Sequence, residues 1–113
     1  MWRDDSLLLD MMIAARRARE HVEGMRKTDF LASQLHQDAV IRQLEIVGEA
    51  AGGLSAEVRT QHPEIPWSDM VGMRNRLIHE YFRVKLKVVW DVVTKELPRL
   101  IEQLERIVPP EEP

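Results

Sequence analysis

The sequence contains no cysteine among its 113 residues. Disulfide bridges, thiolate zinc sites and cysteine nucleophiles are therefore excluded from any account of its fold or function. Long apolar runs are also missing, because Asp10 separates the apolar run 7–9 from the run 11–15. No stretch reaches the length of a membrane span, and the first residues do not match a signal peptide. We expect a cytoplasmic protein without a membrane partner.

Patterns typical of metal and phosphate binding are missing as well. The four histidines are scattered along the chain, and no His-x-x-x-His or paired-aspartate motif gives a ligand spacing. The sequence also lacks a glycine-rich phosphate loop and a serine nucleophile signature. We therefore expect no cofactor, and hydrolysis by this chain would have to proceed without a metal.

The length and charge fit one small globular domain. Residues are 44% hydrophobic and 31% charged, with a net charge of −3, so the chain has enough apolar surface for one core. We place the domain at residues 1–108 and expect a flexible tail at 109–113, which contains only proline and glutamate. The acidic balance is not that of a protein that coats nucleic acid.

One segment departs from this balance. Five basic residues lie between positions 74 and 87 against the single acid Glu80, namely Arg74, Arg76, Arg83, Lys85 and Lys87. By itself such a cluster is most simply a solvated helix end. It is also the local basic patch that a nuclease needs in order to meet its substrate.

Apolar spacing predicts an all-α protein with four main helices and no strands. In the first helix, apolar residues recur at alternating spacings of three and four from Leu8 to Met25. Asp4 or Asp5 is a candidate start for it. The second helix should run from about Gln34 to Ala51, with Ser33 as its N-cap, before the stop signal at 52–53. Its predicted buried positions are Val40, Leu44, Val47 and Ala51.

Prolines mark the boundaries in the second half of the chain. A connection is expected at 28–33, an extra helical turn at 55–61, and a stiff loop at 62–66 that contains two prolines. The third helix should begin near Trp67 or Ser68 and reach about Tyr81. The helical period resumes at Leu86, and Pro98 should kink that helix or open a fifth segment. These elements predict an antiparallel bundle of four to five helices.

The third predicted helix carries the residues with the clearest chemistry. Arg74 and Asn75 are followed by His79 and Tyr81. Histidine exchanges a proton near pH 7, and arginine stabilises the charge that builds on phosphorus during phosphodiester cleavage. RNA cleavage by an internal hydroxyl is therefore the hypothesis that this window favours.

The spacing within the window restricts how such a site can be built. Five residues rotate a helix by about 140° from one face to another, so Arg74 and His79 do not share a face of a straight helix. The helix would have to end near His79, or a second copy would have to face the first in a two-fold dimer. Gly72 would allow a close helix-to-helix contact in such a dimer. Asn75 shares a face with His79, and its amide is placed to orient the imidazole or bind a phosphate oxygen.

Structural explanations of the same residues stay open. His79 is equally explained as a helix-end histidine bonded to a carbonyl, and Arg74 as one half of a salt bridge to the second helix. There, helical spacing aligns Arg42, Glu45 and Glu49 in one stripe, which we interpret as a polar seam that sets helix register. Trp67 and Trp90 are expected as core anchors.

The motif Arg74-x-x-x-x-His79-x-Tyr81 resembles the Arg-x4-His-x-Tyr motif of the HepT-type toxins, a branch of the HEPN superfamily of small helical ribonucleases. The similarity extends to four blocks in order, at 40–51, 63–75, 89–90 and 97–100, and spans about residues 5–107. The resemblance implies a HEPN-like bundle that dimerises through its motif-bearing helices. It also implies a metal-independent endoribonuclease that acts as the toxin of a type VII-like toxin–antitoxin system.

The resemblance also implies a role for each motif residue. His79 would be the acid–base group and Arg74 the phosphate and transition-state binder, with Asn75, Arg76 and Arg83 as auxiliary RNA contacts. The cognate antitoxin would be a minimal nucleotidyltransferase that silences the toxin by transferring AMP to Tyr81. The alternative is a non-catalytic companion of a nucleotidyltransferase that binds a nucleotide or a partner.

Overall fold

Two long antiparallel helices form the frame of the fold, which the computed structural model describes for residues 2–108. Helix α1 spans Trp2–His21 and helix α3 spans Gln34–Gly53. Their relative direction is fixed by Asp4, whose carboxylate accepts hydrogen bonds from the backbone N–H and the hydroxyl of Ser55, both at 2.9 Å. The backbone hydrogen bond is the main reason that the pKa of Asp4 lies below its ordinary value. The expectation that Asp4 or Asp5 starts α1 is wrong, because both lie inside a helix that already includes Trp2. The side chain of Asp4 instead joins the first turn of α1 to the residue that follows the end of α3.

The facing sides of α1 and α3 supply much of the core. The predicted apolar face of α1 is buried from Leu8 to Val22, and Ala15 and Ala18 are fully inaccessible. All four positions predicted to be buried on α3 are buried. Alanines at the contact allow the two backbones to come close, because no larger side chain separates them. The periodicity in the sequence therefore identified the packed faces of both helices.

Two short helices flank α3. Helix α2 spans Lys27–Leu31, so the expected connection at 28–33 contains a helical turn. Phe30 makes that turn part of the core, because it is fully buried with its ring centroid 5.4 Å from that of Trp90. Ser33 caps α3 as predicted, accepting a hydrogen bond from the backbone N–H of His36. The predicted extra turn is helix α4, Ala56–Gln61.

Helix α5 carries the motif and spans Trp67–His79. The preceding prolines place its start where the sequence predicted, and the indole of Trp67 is buried with its N–H donated to the carbonyl of His62 at 2.9 Å. The predicted end at Tyr81 is wrong by two residues. Glu80 leaves the helical conformation with φ −128° and ψ 35°, and a 3₁₀ turn follows at Tyr81–Arg83.

The last part of the bundle is a helix with an irregular centre. Helix α6 spans Leu86–Asp91, a π-helical segment spans Val92–Glu96, and helix α7 spans Leu97–Glu105. Pro98 lies in the first turn of α7. Because proline has no N–H and its ring crowds the preceding turn, the segment before it widens. Pro98 therefore opens a fifth segment, one of the two predicted outcomes.

The described residues confirm the all-α bundle and contain no strand. None of their helices combines the length and apolar character needed to cross a membrane. The expected flexible tail at 109–113 lies outside the described residues.

Helices α3 and α5 approach each other closely at Gly48. A β-carbon at this position would lie 2.5 Å from the carbonyl oxygen of Met70 and would overlap the β-carbon of Arg74. Gly72, the glycine expected to allow a close contact, has open space where its β-carbon would be. Within residues 2–108, Gly48 is therefore the glycine that permits close packing of α5 on α3, and the predicted role of Gly72 in a dimer contact stays a prediction.

We expect Gly48→Ala to lower the free energy of unfolding by about 1–3 kcal/mol, as for other overpacked sites. The matched variant Gly72→Ala should raise it by up to about 1 kcal/mol, because alanine favours the helix interior and meets no neighbour. Urea denaturation at one fixed protein concentration measures both values. A Gly48→Ala protein as stable as the unmodified chain would contradict the close approach.

Candidate active site

The four motif residues lie where α5 ends. Arg74 and Asn75 belong to the helix, His79 is its last residue, and Tyr81 begins the 3₁₀ turn. This confirms one of the two conditions set by the spacing, namely that the helix ends near His79. The imidazole is therefore attached at a point where the regular helix no longer fixes the direction of the chain.

The side chain of Arg74 begins against α3 and ends near the surface. Its β-carbon packs against Gly48, and its Nη1 donates a hydrogen bond to the side-chain oxygen of Asn75 at 3.1 Å. Its Nε is buried, and among residues 2–108 it has no hydrogen-bond partner. The alternative of a salt bridge to α3 is not observed in this part of the chain. Because Nε is enclosed, an anion that binds this guanidinium would contact its terminal nitrogens.

His79 is exposed at the end of α5. Across residues 2–108 no hydrogen bond to its ring is found, so the alternative of a carbonyl-bonded histidine is not observed either. The side chain of Asn75 accepts a hydrogen bond from Arg74. The expected hydrogen bond between Asn75 and the imidazole is not observed within residues 2–108. The ring is therefore accessible for proton transfer, and the amide of Asn75 orients the arginine.

Tyr81 is tied to the neighbouring helix. Its hydroxyl donates a hydrogen bond to the carboxylate of Asp38 on α3, and its ring lies edge-on to Phe82 with centroids 5.2 Å apart. The hydrogen bond to Asp38, followed by burial and the charges of Asp38 and Glu45, raises the pKa of Tyr81. The side chain nevertheless remains 39% exposed. Its hydroxyl is thus near the surface but held by a carboxylate.

Positive charge surrounds the end of α5. Arg76 and Arg83, the two predicted RNA contacts, are exposed, as are Lys85 and Lys87. Arg76 lies 4.0 Å from Glu80 in an exposed ion pair, which is too weak to remove its charge from the surface. Phe82 is 98% exposed between these cations. The cluster predicted from the sequence is therefore solvent-accessible.

Two residues of the site were missed by the sequence analysis. Asp38 holds Tyr81, and Gly48 makes room for Arg74. A signal for Asp38 was present, since it extends the polar stripe of Arg42 and Glu45 by one turn towards the start of α3. No comparable local signal distinguishes Gly48 from other helical glycines.

An apolar cavity of 230 Å³ lies between α3, α5 and the α6–α7 region. Its lining includes Leu44, Met73 and Leu97 but none of the four motif residues. Among residues 2–108 no three histidine or carboxylate side chains converge as a metal site would require. The chemistry available at the end of α5 is thus that of an arginine, an imidazole and a phenol.

The model of the ribonuclease HepT-like family matches residues 11–107. The chain belongs to the HepT-like ribonuclease family. It is 40% identical to "Putative RNase TTE0752" of Caldanaerobacter subterraneus subsp. tengcongensis over 79% of this chain and 80% of that protein. It is 44% identical to "Probable ribonuclease HepT" of Thermococcus cleftensis over 70% of this chain and 72% of that protein.

A third relative has a longer chain. This chain is 42% identical to "Gamma-glutamylcyclotransferase and putative RNase MJ0434" of Methanocaldococcus jannaschii. The aligned region covers 79% of this chain and 40% of that relative. No solved structure matches the chain. The family assignment confirms the resemblance drawn from the motif and gives a ribonuclease-type function at the level of the family.

The contact between Tyr81 and Asp38 predicts that the phenol of Tyr81 ionises at a higher pH in the folded protein than in the denatured chain. Tyr81 is the only tyrosine, so the absorbance of its phenolate reports on one residue while the tryptophans do not ionise. We expect ionisation above the ordinary pKa of 10.0 in the folded protein and near that value in urea. Because the folded-state pKa is raised, the stability from this contact is fully present below pH 10 and is lost as pH rises through the folded-state pKa. A folded midpoint at or below the denatured one would contradict this geometry.

Proposed function

We propose that this chain is a metal-independent endoribonuclease and the toxin of a toxin–antitoxin pair. The observation that supports it best is the environment of Arg74 and His79 at the end of α5. Arg74 has a guanidinium whose Nη1 donates a hydrogen bond to Asn75, and His79 has an exposed imidazole. These are the groups that stabilise charge on phosphorus and transfer protons near neutral pH.

The proposed reaction is cleavage by the neighbouring ribose hydroxyl. The 2′-oxygen forms a bond to phosphorus while the bond from phosphorus to the 5′-oxygen breaks, which leaves a cyclic phosphate. One proton leaves the 2′-hydroxyl for an imidazole, and another is delivered to the departing 5′-oxygen. Arg74 would bind the non-bridging oxygens, where charge increases in the transition state.

A homodimer would supply both proton-transfer groups. In a two-fold arrangement of the α5 ends, His79 would accept one proton and the partner subunit's His79 would donate the other. The same arrangement would bring two copies of Arg74 to one groove. Exposed Arg76 and Arg83 would extend the positive surface along the RNA backbone, with contacts that do not depend on base sequence.

We expect His79→Ala to reduce RNA cleavage at least a hundredfold in the presence of EDTA, because acid–base catalysis contributes on this scale. Arg74→Lys should reduce it by about 10²–10³, since lysine keeps an aliphatic stem against Gly48 but loses the planar guanidinium. The matched controls are His21→Ala on α1 and Arg99→Lys on α7, which should cleave like the unmodified chain. Cleavage of total RNA and analysis of the product ends measure these effects.

The controls separate a catalytic effect from a folding defect. Circular dichroism and size-exclusion chromatography should be unchanged in all four variants. Cleavage by His79→Ala at the unmodified rate would overturn the assignment of His79. An unmodified dimeric protein that cleaves no RNA would favour the second candidate, a non-catalytic companion of a nucleotidyltransferase.

The proposed silencing reaction modifies Tyr81. A minimal nucleotidyltransferase antitoxin would direct the phenolic oxygen onto the α-phosphorus of ATP, pyrophosphate would leave, and the phenolic proton would pass to a base. Tyr81 suits this role because it is partly exposed and lies two residues beyond His79. A nucleotide phosphate at this point would compete with RNA for the cations of the α5 end.

Co-expression with a minimal nucleotidyltransferase should add one or more adenylyl groups to this chain and abolish cleavage. Tyr81→Phe should remain unmodified, because the chain has no other tyrosine. Intact-mass spectrometry with peptide mapping measures both. Adenylylation of Tyr81→Phe to the same extent would exclude Tyr81 as the acceptor.

A further inference from the structure

The turn after His79 has few attachments to the rest of the bundle. All four residues 80–83 are exposed, and the backbone hydrogen bonds of the turn are local, as from Arg83 N–H to the carbonyl of Glu80 at 2.8 Å. Among the described residues, the one side-chain hydrogen bond from this turn to another helix joins Tyr81 to Asp38, 43 residues away. Val84, which follows the turn, packs against the core, so within the turn itself the described side-chain hydrogen bond to another helix is the one to Asp38.

We propose that Asp38 is a positioning residue of the active site, whose carboxylate holds Tyr81 against α3 and thereby fixes the turn that follows His79. The proposal rests on the proposed function insofar as it takes His79 to be catalytic. It assigns Asp38 no contact with the RNA. Its effect reaches the imidazole through Glu80, the one residue between His79 and the tethered phenol.

Geometry explains why this attachment matters for His79. The regular hydrogen bonding of α5 ends there, since Glu80 already has non-helical dihedral angles. The backbone carrying the imidazole is thus restrained by α5 on one side and by the turn on the other. Because small displacements of a catalytic group strongly reduce the rate, releasing the turn is expected to lower kcat more than it changes KM.

The same contact gives the modification of Tyr81 a second consequence. An ester at the phenolic oxygen removes the proton that Asp38 accepts. It also places a phosphate anion beside Asp38 and Glu45, the two carboxylates whose charges act on Tyr81. Like charges at this distance repel, so nucleotide transfer would detach the turn from α3. Removing the carboxylate should reproduce that effect without any nucleotide.

The first experiment tests the contact and the turn without RNA. In Asp38→Ala the pKa of Tyr81, measured from its phenolate absorbance, should fall towards the ordinary value of about 10. In Asp38→Asn the same pKa should fall by a smaller amount. Hydrogen exchange of the peptide covering 79–84 should be faster in Asp38→Ala and close to the unmodified chain in Asp38→Asn, because the amide oxygen still accepts a hydrogen bond. Asp10→Ala, at an exposed aspartate of α1, is the matched control and should change neither.

The second experiment measures cleavage. Asp38→Ala and Tyr81→Phe should each lower kcat by about 10- to 100-fold, with Asp38→Asn recovering most of the loss. The double variant should be no slower than the single ones, because both substitutions break one hydrogen bond. A general loss of folding would instead lower thermal stability in every Asp38 variant and would not be recovered by asparagine.

The outcomes distinguish this proposal from the proposed function. If the unmodified chain cleaves no RNA, the proposed function fails, while titration and hydrogen exchange still decide whether Asp38 holds the turn. Unchanged titration and exchange in Asp38→Ala would overturn the proposal whatever the cleavage result. Full kcat in both Asp38→Ala and Tyr81→Phe would overturn it as well, even if the turn becomes mobile.

Discussion

The close packing of α5 on α3 at Gly48 fixes how the motif-bearing helix lies on the bundle. Only a glycine leaves room for the carbonyl of Met70 and the β-carbon of Arg74 at that point. The approach carries the arginine into the helix interface, where Asn75 binds one end of its guanidinium and Nε is buried without a partner in the described chain. A residue without a side chain thus makes room for the arginine of the motif.

Charge of both signs meets at the end of α5. The helix end contributes cations such as Arg76 and Arg83, whereas α3 contributes Asp38 and Glu45 beside Tyr81. For a chain of net charge −3, attraction of RNA has to be local, since exposed charges are screened within about 8 Å at physiological salt. Carboxylates near such a surface weaken anion binding. Asp38 binds the phenol of Tyr81, and Glu45 adds its charge beside it.

The sequence predicted what depends on local spacing and missed what depends on tertiary contact. The buried face of α3 and the start of α5 at Trp67 follow from apolar periodicity and from prolines, which act within a few residues. The role of Gly48 depends on how α5 is rotated against α3, and no local pattern encodes that rotation. Asp38 extends the polar stripe visible in the sequence, but its contact with Tyr81, 43 residues away, is tertiary and is not specified by the stripe. The motif residues were identifiable by type, but the groups that hold them were not.

The guanidinium of Arg74 constrains how a dimer of this chain would be built. Its Nε is enclosed by the protein, so either a substrate phosphate or an acceptor on a second copy would have to bind the terminal nitrogens. An acceptor from the second copy would withdraw the guanidinium from the reaction. A catalytic dimer therefore has to bring the α5 ends together while leaving those terminal nitrogens accessible to the substrate. The exposed imidazole of His79 meets the same requirement, because it lies beyond the packed part of α5 and needs no burial to approach the phosphate.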